Sequence, residues 1–370
     1  MTAAHDTSRL PIDFQTDQDH DDSLHLLDQV RTALRDRTPL DIQGGGSKHF
    51  LGRPRRGVPI DTTRHRGIVS YDPTELIITA RAGTPLAELE SVLARGGQML
   101  ACEAPAFGPA ATVGGMVAAG LSGPRRPWAG AVRDFVLGTR LISGLGTYLR
   151  FGGEVMKNVA GYDISRLLAG SHGCLGLITE VSFKVLPQPR CSISVAQPMP
   201  PDKALARLRE WGQQPLPISA ASHDGYALYL RFEGNDGSVR AACDRIGGDR
   251  LDDDWWLSLR EHRLPFFATT DDPRPLWRLS VPSWQPPLNL PGDQWVDWGG
   301  AQRWLRSEAP PNNIQHLAQA AGGHATCFTA GHADSPFQPL PSALMHLHRN
   351  LKARLDPHGI FNPGRMYAEF

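Results

Sequence analysis

The sequence predicts an α+β protein of two domains, and three observations lead there. Its 370 residues exceed the size at which a single hydrophobic core stops growing. Segments with strand periodicity and segments with helical periodicity follow one another along the whole chain. Between them Pro187-Gln-Pro189 stiffens the backbone, and neither proline can extend a central strand, so the natural boundary falls there.

In chain order, Leu24, Leu27, Val30 and Leu34 fall at helical spacing and the pattern stops before Pro39, predicting an amphipathic helix. Pro39 to Gln43 reads as a short strand that ends in Gly44-Gly-Gly-Ser-Lys48. A strand over Leu76–Ala80 leads to Thr84 as the N-cap and Pro85 as the first residue of a helix, whose Leu86, Leu89 and Leu93 stripe ends at Gly96-Gly97. From Glu103 to Gly146 the Gly, Ala and Pro content predicts irregular backbone packed against a ligand. Leu177 to Val185 alternates, with Leu177, Val181, Phe183 and Val185 on one face and Glu180, Ser182 and Lys184 on the other, as in a half-buried strand.

Beyond the prolines the expected elements are a strand at Cys191–Val195, a helix at Lys203–Trp211, a strand at Ala227–Phe232 and a helix at Ser238–Ile246, a small α+β layer. Seven of the nine tryptophans lie from Trp255 to Trp304, where they fill a core or line an interface. Adjacent Trp255 and Trp256 cannot easily both point inward, so one ring is expected to be partly exposed. A last helix carries Leu344, Leu347, Leu351 and Leu355.

Composition narrows the function. Lys plus Arg and Asp plus Glu are 38 each, so the net charge of zero gives no electrostatic footprint for nucleic acid or anionic lipid. Five scattered cysteines, without a C-x-x-C pair, argue for reduced thiols and against a zinc or cysteine-held iron–sulfur site, and no metal is expected. The acidic N-terminus lacks a secretory pattern, and no apolar run approaches the roughly 20 residues of a membrane span. A cytoplasmic protein, at most peripherally attached to the membrane, is expected.

Three constellations carry chemistry. Gln43-Gly-Gly-Gly-Ser-Lys48 is either a plain turn or an anion-binding nest suited to a diphosphate, and it has neither Walker nor Gly-x-Gly-x-x-Gly spacing. Ala111-Thr-Val-Gly-Gly-Met-Val-Ala-Ala-Gly120 lets backbone amides approach a ligand, with a hydroxyl from Thr112. The third runs from Lys157-Asn-Val-Ala-Gly-Tyr-Asp163 to Leu167-Leu-Ala-Gly-Ser-His-Gly-Cys-Leu-Gly-Leu-Ile-Thr-Glu180. With Gly120-Leu-Ser-Gly-Pro-Arg-Arg126, Val132-Arg-Asp-Phe-Val-Leu-Gly138 and the closing Phe361-Asn-Pro-Gly-Arg365, these motifs resemble the FAD-linked oxidases of the vanillyl-alcohol oxidase or p-cresol methylhydroxylase type. The likeness covers roughly residues 20 to 190 and points, within that family, to the FAD-binding subunits of bacterial glycolate oxidases.

The resemblance implies an FAD-binding domain of p-cresol methylhydroxylase type over 1–189, an α+β cap over 190–340, and a C-terminal helix and tail, 341–370, returning to the FAD domain. It implies non-covalent FAD, with Gly44, Gly45, Gly46, Ser47, Lys48, Thr112, Val113, Gly114 and Gly115 around the pyrophosphate. Gly173, Gly176 and Ile178 would lie along the adenosine or ribityl side, and Asn362 near the isoalloxazine ring. His49 and Cys102 are the only nearby candidates for covalent attachment and neither sits at an expected position. His172 stands where many relatives carry Glu, which leaves that position's role open. Implied partners are a larger flavin subunit and an iron–sulfur subunit, with a small 2-hydroxy acid as substrate. Such a reaction needs a cation for the carboxylate and a base near the alcohol. The His-x-Gly-Asp-Gly-Asn cap motif of many relatives is absent; His324, Arg278 and Arg231 are the candidates, with His332 a further histidine. Two alternatives are a self-sufficient dehydrogenase of D-lactate type and an assembly scaffold that has lost the flavin.

Overall fold

The computed structural model describes residues 14, 16, 18–153, 162–252, 254–268 and 272–370; the Lys157 to Gly161 part of the third constellation lies outside them. The first half begins with α1 (Ser23–Asp36), β1 (Leu40–Gln43) and β2 (Val58–Asp61), the two strands pairing in parallel. There follow β3 (Ile68–Asp72), β4 (Ile77–Arg81), α2 (Leu86–Arg95), β5 (Gln98–Met99), the short helices α3 (Val113–Ala119), α4 (Arg126–Ala129) and α5 (Val132–Phe135), β6 (Val136–Ile142), β7 (Tyr148–Gly152), α6 (Ile164–Leu167), β8 (Leu177–Lys184) and β9 (Leu186–Pro187). An antiparallel five-stranded sheet runs β3-β4-β8-β6-β7, with the apolar faces of α2 and α3 in its core, while β5 and β9 form a separate ribbon.

The second half contains β10 (Cys191–Pro198), α7 (Pro201–Trp211), β11 (Ile218–His223), β12 (Ala227–Gly234), α8 (Asp236–Ile246), β13 (Asp249–Arg250), α9 (Trp255–Arg260), β14 (Leu276–Ser280), β15 (Asp293–Asp297), β16 (Gln302–Arg306), α10 (Pro311–Ala320), β17 (His324–Cys327) and α11 (Ser342–Leu355). Its eight strands form one antiparallel sheet in the order β13-β10-β12-β11-β15-β16-β14-β17. Helices α7 and α8 bury apolar residues at one end and α10 at the other. A third core, rich in aromatics, joins Trp256, Phe267, Trp295, Trp304 and Phe328 to Leu51 and Leu121 of the first half. That shared core holds the sheet face against the first half. Trp256 is buried and Trp255 half-buried, stacked on Tyr229 at 4.2 Å, while Trp284 is exposed, so the tryptophans divide between core and surface.

Several sequence expectations are corrected. Helix α1 buries Leu26, Val30 and Ala33, and Leu24 points to solvent. Pro85 is the cap of α2; the Thr84 hydroxyl instead bonds both N–H and C=O of Gly67, bracing the neighbouring loop. The stretch from Glu103 to Gly146 is more regular than its composition predicts, because α3, α4, α5 and β6 lie within it. Strand β8 is buried on both faces: Val181 and Phe183 lie in the core, and on the other face Ser182 bonds Thr79 and Glu180 pairs with Arg140, side chains of the neighbouring strands. In α11 the leucine stripe is only half used: Leu351 and Leu355 pack on the core, while Leu344 and Leu347 are exposed.

Candidate functional site

A groove runs between β1, the start of α3 and the C-terminal tail, built largely of backbone in close approach. A Cβ on Gly45 would sit 1.4 Å from the Ala110 carbonyl oxygen, and one on Gly44 2.5 Å from the Thr112 Oγ1. Thr112 caps α3, its hydroxyl accepting from Gly115 N–H at 3.2 Å. Gly114 is pressed against Ala82, where a Cβ would meet the Ala82 methyl at 2.7 Å. Glycine is therefore required here by contact.

Gly44, Gly45, Gly46, Ser47, Lys48, Thr112, Gly115 and Asn362 line one stretch of this groove, about 100 Å³, with His49, Arg55, His172 and Arg365. The stretch beside it, about 70 Å³, is lined by Gly114, Gly173, Gly176 and Ile178 together with Thr62 and Ala82. Of the thirteen sequence-predicted cofactor residues, Val113 alone directs its side chain elsewhere, into the core, and its N–H bonds the Thr84 carbonyl. Lys48 is held by the Ala106 carbonyl at 3.1 Å and the Ser47 hydroxyl at 3.2 Å; burial lowers its ammonium to about 8, against an opposing pull from Glu261. Cys102 is buried in the core, where desolvation pushes its thiol up to about 12.

The C-terminal tail closes the groove. Asn362 stands in the left-handed region at φ 41; its side-chain oxygen accepts from Ile42 N–H and its amide donates to the His172 carbonyl, each at 2.7 Å. Buried Lys352 donates to the carbonyls of Cys174 and Phe361 and pairs with Asp356, fixing the tail to the Gly173 loop. The His172 ring, also on a left-handed backbone, packs on Phe337 at 5.2 Å and has no hydrogen-bond partner among the described residues. Burial holds it near 4, with Arg365 and Arg278 contributing, so its imidazole is neutral.

His172 also lines a larger cavity of about 910 Å³, whose far wall is the second-half sheet. There strand alternation decides which side chains face in. On β14, Trp277 and Leu279 enter the core against α10, while Arg278 faces the cavity. Thr326, opposite Arg278 on β17, and His324, two residues along, line it too. Arg231 is placed differently: its guanidinium pairs with Glu103 at 2.9 Å and with Glu233, and bonds Ser219. Arg125 pairs with the same two glutamates, so Arg231 belongs to an ion-pair cluster that ties the halves together. His332 lies beside Trp277, on the opposite face of β14 from Arg278. Sequence reasoning missed Arg126 and Asp297. Arg126 is stacked on Trp298 at 4.4 Å, and its only signal was the Arg125-Arg126 pair within a motif. Asp297 lines a small cavity with Arg278.

Among the described residues no helix is long and apolar enough to cross a membrane, and no group of three or more His, Cys, Asp or Glu is placed to hold a metal.

Comparison with known proteins agrees with this architecture. Residues 21–152 match the FAD binding domain family, and the groove fits that group: Gly44, Gly45 and Gly46 leave its wall without side chains, with Ser47, Lys48 and Thr112 as polar groups beside them. The chain is 57% identical over 349 residues to glycolate oxidase subunit GlcE of Escherichia coli (strain K12), covering 94% of this chain and 98% of that protein. It is 34% identical to D-lactate dehydrogenase of Anaerostipes hadrus over 38% of this chain and 30% of that one. To glycolate oxidase subunit GlcD of Bacillus subtilis (strain 168) it is 30% identical over 41% and 33% respectively. Among solved structures it is similar in fold to alkyldihydroxyacetonephosphate synthase, with a TM-score of 0.64, 17% identity and coverage of 92% of this chain and 75% of that one.

Proposed function

Because the chain belongs to the family of glycolate oxidase subunit GlcE, FAD-linked oxidoreductases, we propose that it is the FAD-binding subunit of a complex that oxidises glycolate to glyoxylate. The observation that carries this reading is the continuity of the glycine groove with the cavity beneath Arg278, through the shared residue His172. FAD, when bound, supplies the acceptor for a hydride leaving the hydroxyl-bearing carbon. The chain's own residues supply placement. Gly44 to Lys48 offer amides and an ammonium, and Thr112 a hydroxyl, to a diphosphate, while Gly114 and Gly115, whose N–H groups bond the Ala82 carbonyl and the Thr112 hydroxyl, let the backbone approach closely. Gly173, Gly176 and Ile178 line the nucleoside side, and Asn362 locks β1, the His172 loop and the tail into one wall.

In this reading residues 1–189 form the cofactor domain, 190–340 the cap, and 341–370 the returning tail. A larger flavin subunit and an iron–sulfur subunit are the partners, and the complex works in the cytoplasm or at the inner face of the membrane. Exposed Leu344 and Leu347 on α11 support a partnered surface. The experiment is a visible spectrum of the purified chain, followed by anaerobic glycolate with and without co-purified partner subunits. Flavin bands that bleach only with the partners are the expected result. Bleaching by D-lactate in the isolated chain would favour a self-sufficient dehydrogenase, and failure to take up FAD would leave the scaffold.

A further inference from the structure

We propose that this chain carries its own binding site for the carboxylate of a small 2-hydroxy acid, centred on Arg278 of β14 and bordered by His324 and Thr326 of β17, so that it contacts substrate itself. The inference rests on the proposed function for the identity of the acid, though not for the existence of the site.

Arg278 is half-buried and opens onto the cavity, and among the described residues its guanidinium has no hydrogen bond or ion pair. Its one described contact is the face of the Phe328 ring at 5.1 Å. Desolvation lowers its guanidinium to about 10, and Arg126 adds to that; no acidic group acts against them. Even half-buried, a desolvated guanidinium without a counter-ion is costly, so native chains ordinarily supply a carboxylate. Asp297 shares a small cavity with Arg278 but makes no hydrogen bond or ion pair with it among the described residues; on the large cavity the neighbours are cationic or basic. Arg133 and His324 share the cavity wall, and no Asp or Glu is among its lining residues. Desolvation holds the His324 imidazole below its usual value, followed by Arg278 and Arg126, so it is a neutral partner at physiological pH. Arg126 feels Asp134 only as a minor influence, and that carboxylate is already bonded to the Ala131 N–H and near Arg133.

The geometry suits a carboxylate bearing a neighbouring hydroxyl. A planar guanidinium binds a carboxylate in two parallel hydrogen bonds, and the register sets Thr326 directly opposite Arg278 with His324 two residues along the same face. A hydroxyl and an imidazole thus flank the anion.

The test uses isothermal titration of the full chain, with and without FAD, against glycolate, the non-oxidisable dianion oxalate, and inorganic phosphate. Arg278→Gln, Arg278→Lys and, on the exposed face of α11, Arg349→Gln are compared. Expected are binding of glycolate and oxalate, weakening by about tenfold or more in Arg278→Gln, partial retention in Arg278→Lys, and no change in Arg349→Gln. Unchanged circular dichroism and FAD content in each variant separate a lost ligand contact from a lost fold. Carboxylate binding that survives Arg278→Gln, or phosphate binding as tightly as glycolate, overturns the proposal. FAD uptake without carboxylate binding defeats this site and leaves the proposed function standing; carboxylate binding without FAD uptake does the reverse.

Discussion

Arg125 is buried and Arg278 half-buried at a cavity wall, and the chain treats the two arginines in opposite ways. Around Arg125, two glutamates from different halves, Glu103 and Glu233, converge, and Arg231 joins the same pair. Around Arg278 the large cavity offers no acidic side chain, and Asp297, which shares the small cavity with it, forms no ion pair with it among the described residues. The difference teaches what each region is for. Where cations are neutralised by the chain's own carboxylates, the charge is spent on geometry, here the docking of the second half on the first. Where the carboxylate is withheld, the counter-charge has to come from outside.

The comparison breaks most directly at the paired cluster. Arg125→Met leaves Glu103 and Glu233 sharing only Arg231 inside the protein, and a loss of about 3 to 5 kcal/mol in unfolding free energy is expected. Urea titration measures it; a change within experimental error would mean that the cluster is hydrated and does not join the halves. Next in size is the backbone groove. In Gly45→Ala the new methyl must displace the Ala110 carbonyl, costing about 2 to 3 kcal/mol by overpacking, with flavin retention falling alongside. Normal flavin content in a stable Gly45→Ala protein would remove the groove from the cofactor site.

Arg278→Met reverses the sign. Removing an unpaired, half-buried cation while keeping much of the side-chain volume should raise stability by about 1 kcal/mol. Thermal unfolding at low salt reads it, and a destabilisation comparable to that of Arg125→Met would make Arg278 structural, erasing the contrast between the two regions.

These two kinds of site also differ in how much of them the sequence discloses. The groove is written in contiguous runs, because a close backbone approach demands glycine at successive positions; Gly44 to Lys48 and Thr112 to Gly115 could be read directly. Its closure by Asn362 was not derivable from local pattern, since that contact joins residues 320 apart and came from family resemblance. The cavity face is assembled from single side chains on β14 and β17, and only strand pairing brings Arg278 opposite Thr326. Arg231 and Arg278 look alike as arginines in alternating strands, and the glutamates that separate their roles lie far off in the chain. Burial was misjudged for a similar reason. Glu180 and Ser182 mimic a solvent face, but β8 is covered on both sides because its neighbours supply Arg140 and Thr79.

Asp297 lies at the seam between the two regions, and its titration gives the finest test of the contrast. It lines the small cavity with Arg278, accepts from the Trp298 N–H at 2.7 Å and contacts the Gln302 amide at 3.3 Å. Burial raises its carboxyl to about 7, with Glu103 of the paired cluster adding to the rise, against smaller opposing contributions led by the Trp298 hydrogen bond. A carboxyl raised in the folded state contributes stability that is complete below its unfolded value of 3.8 and is lost as pH rises through about 7. Wild-type stability should therefore fall by about 1 kcal/mol between roughly pH 6 and 8 through this group. Asp297→Asn, neutral throughout and still able to accept from Trp298, should lack that fall, so the variant gains on the wild type as pH rises. A difference that is flat across this window, or that grows toward acid, would show Asp297 already ionised, its charge met by Arg278. In that case the cavity face would not be free of carboxylate, and Arg278 would join Arg125 among the paired arginines.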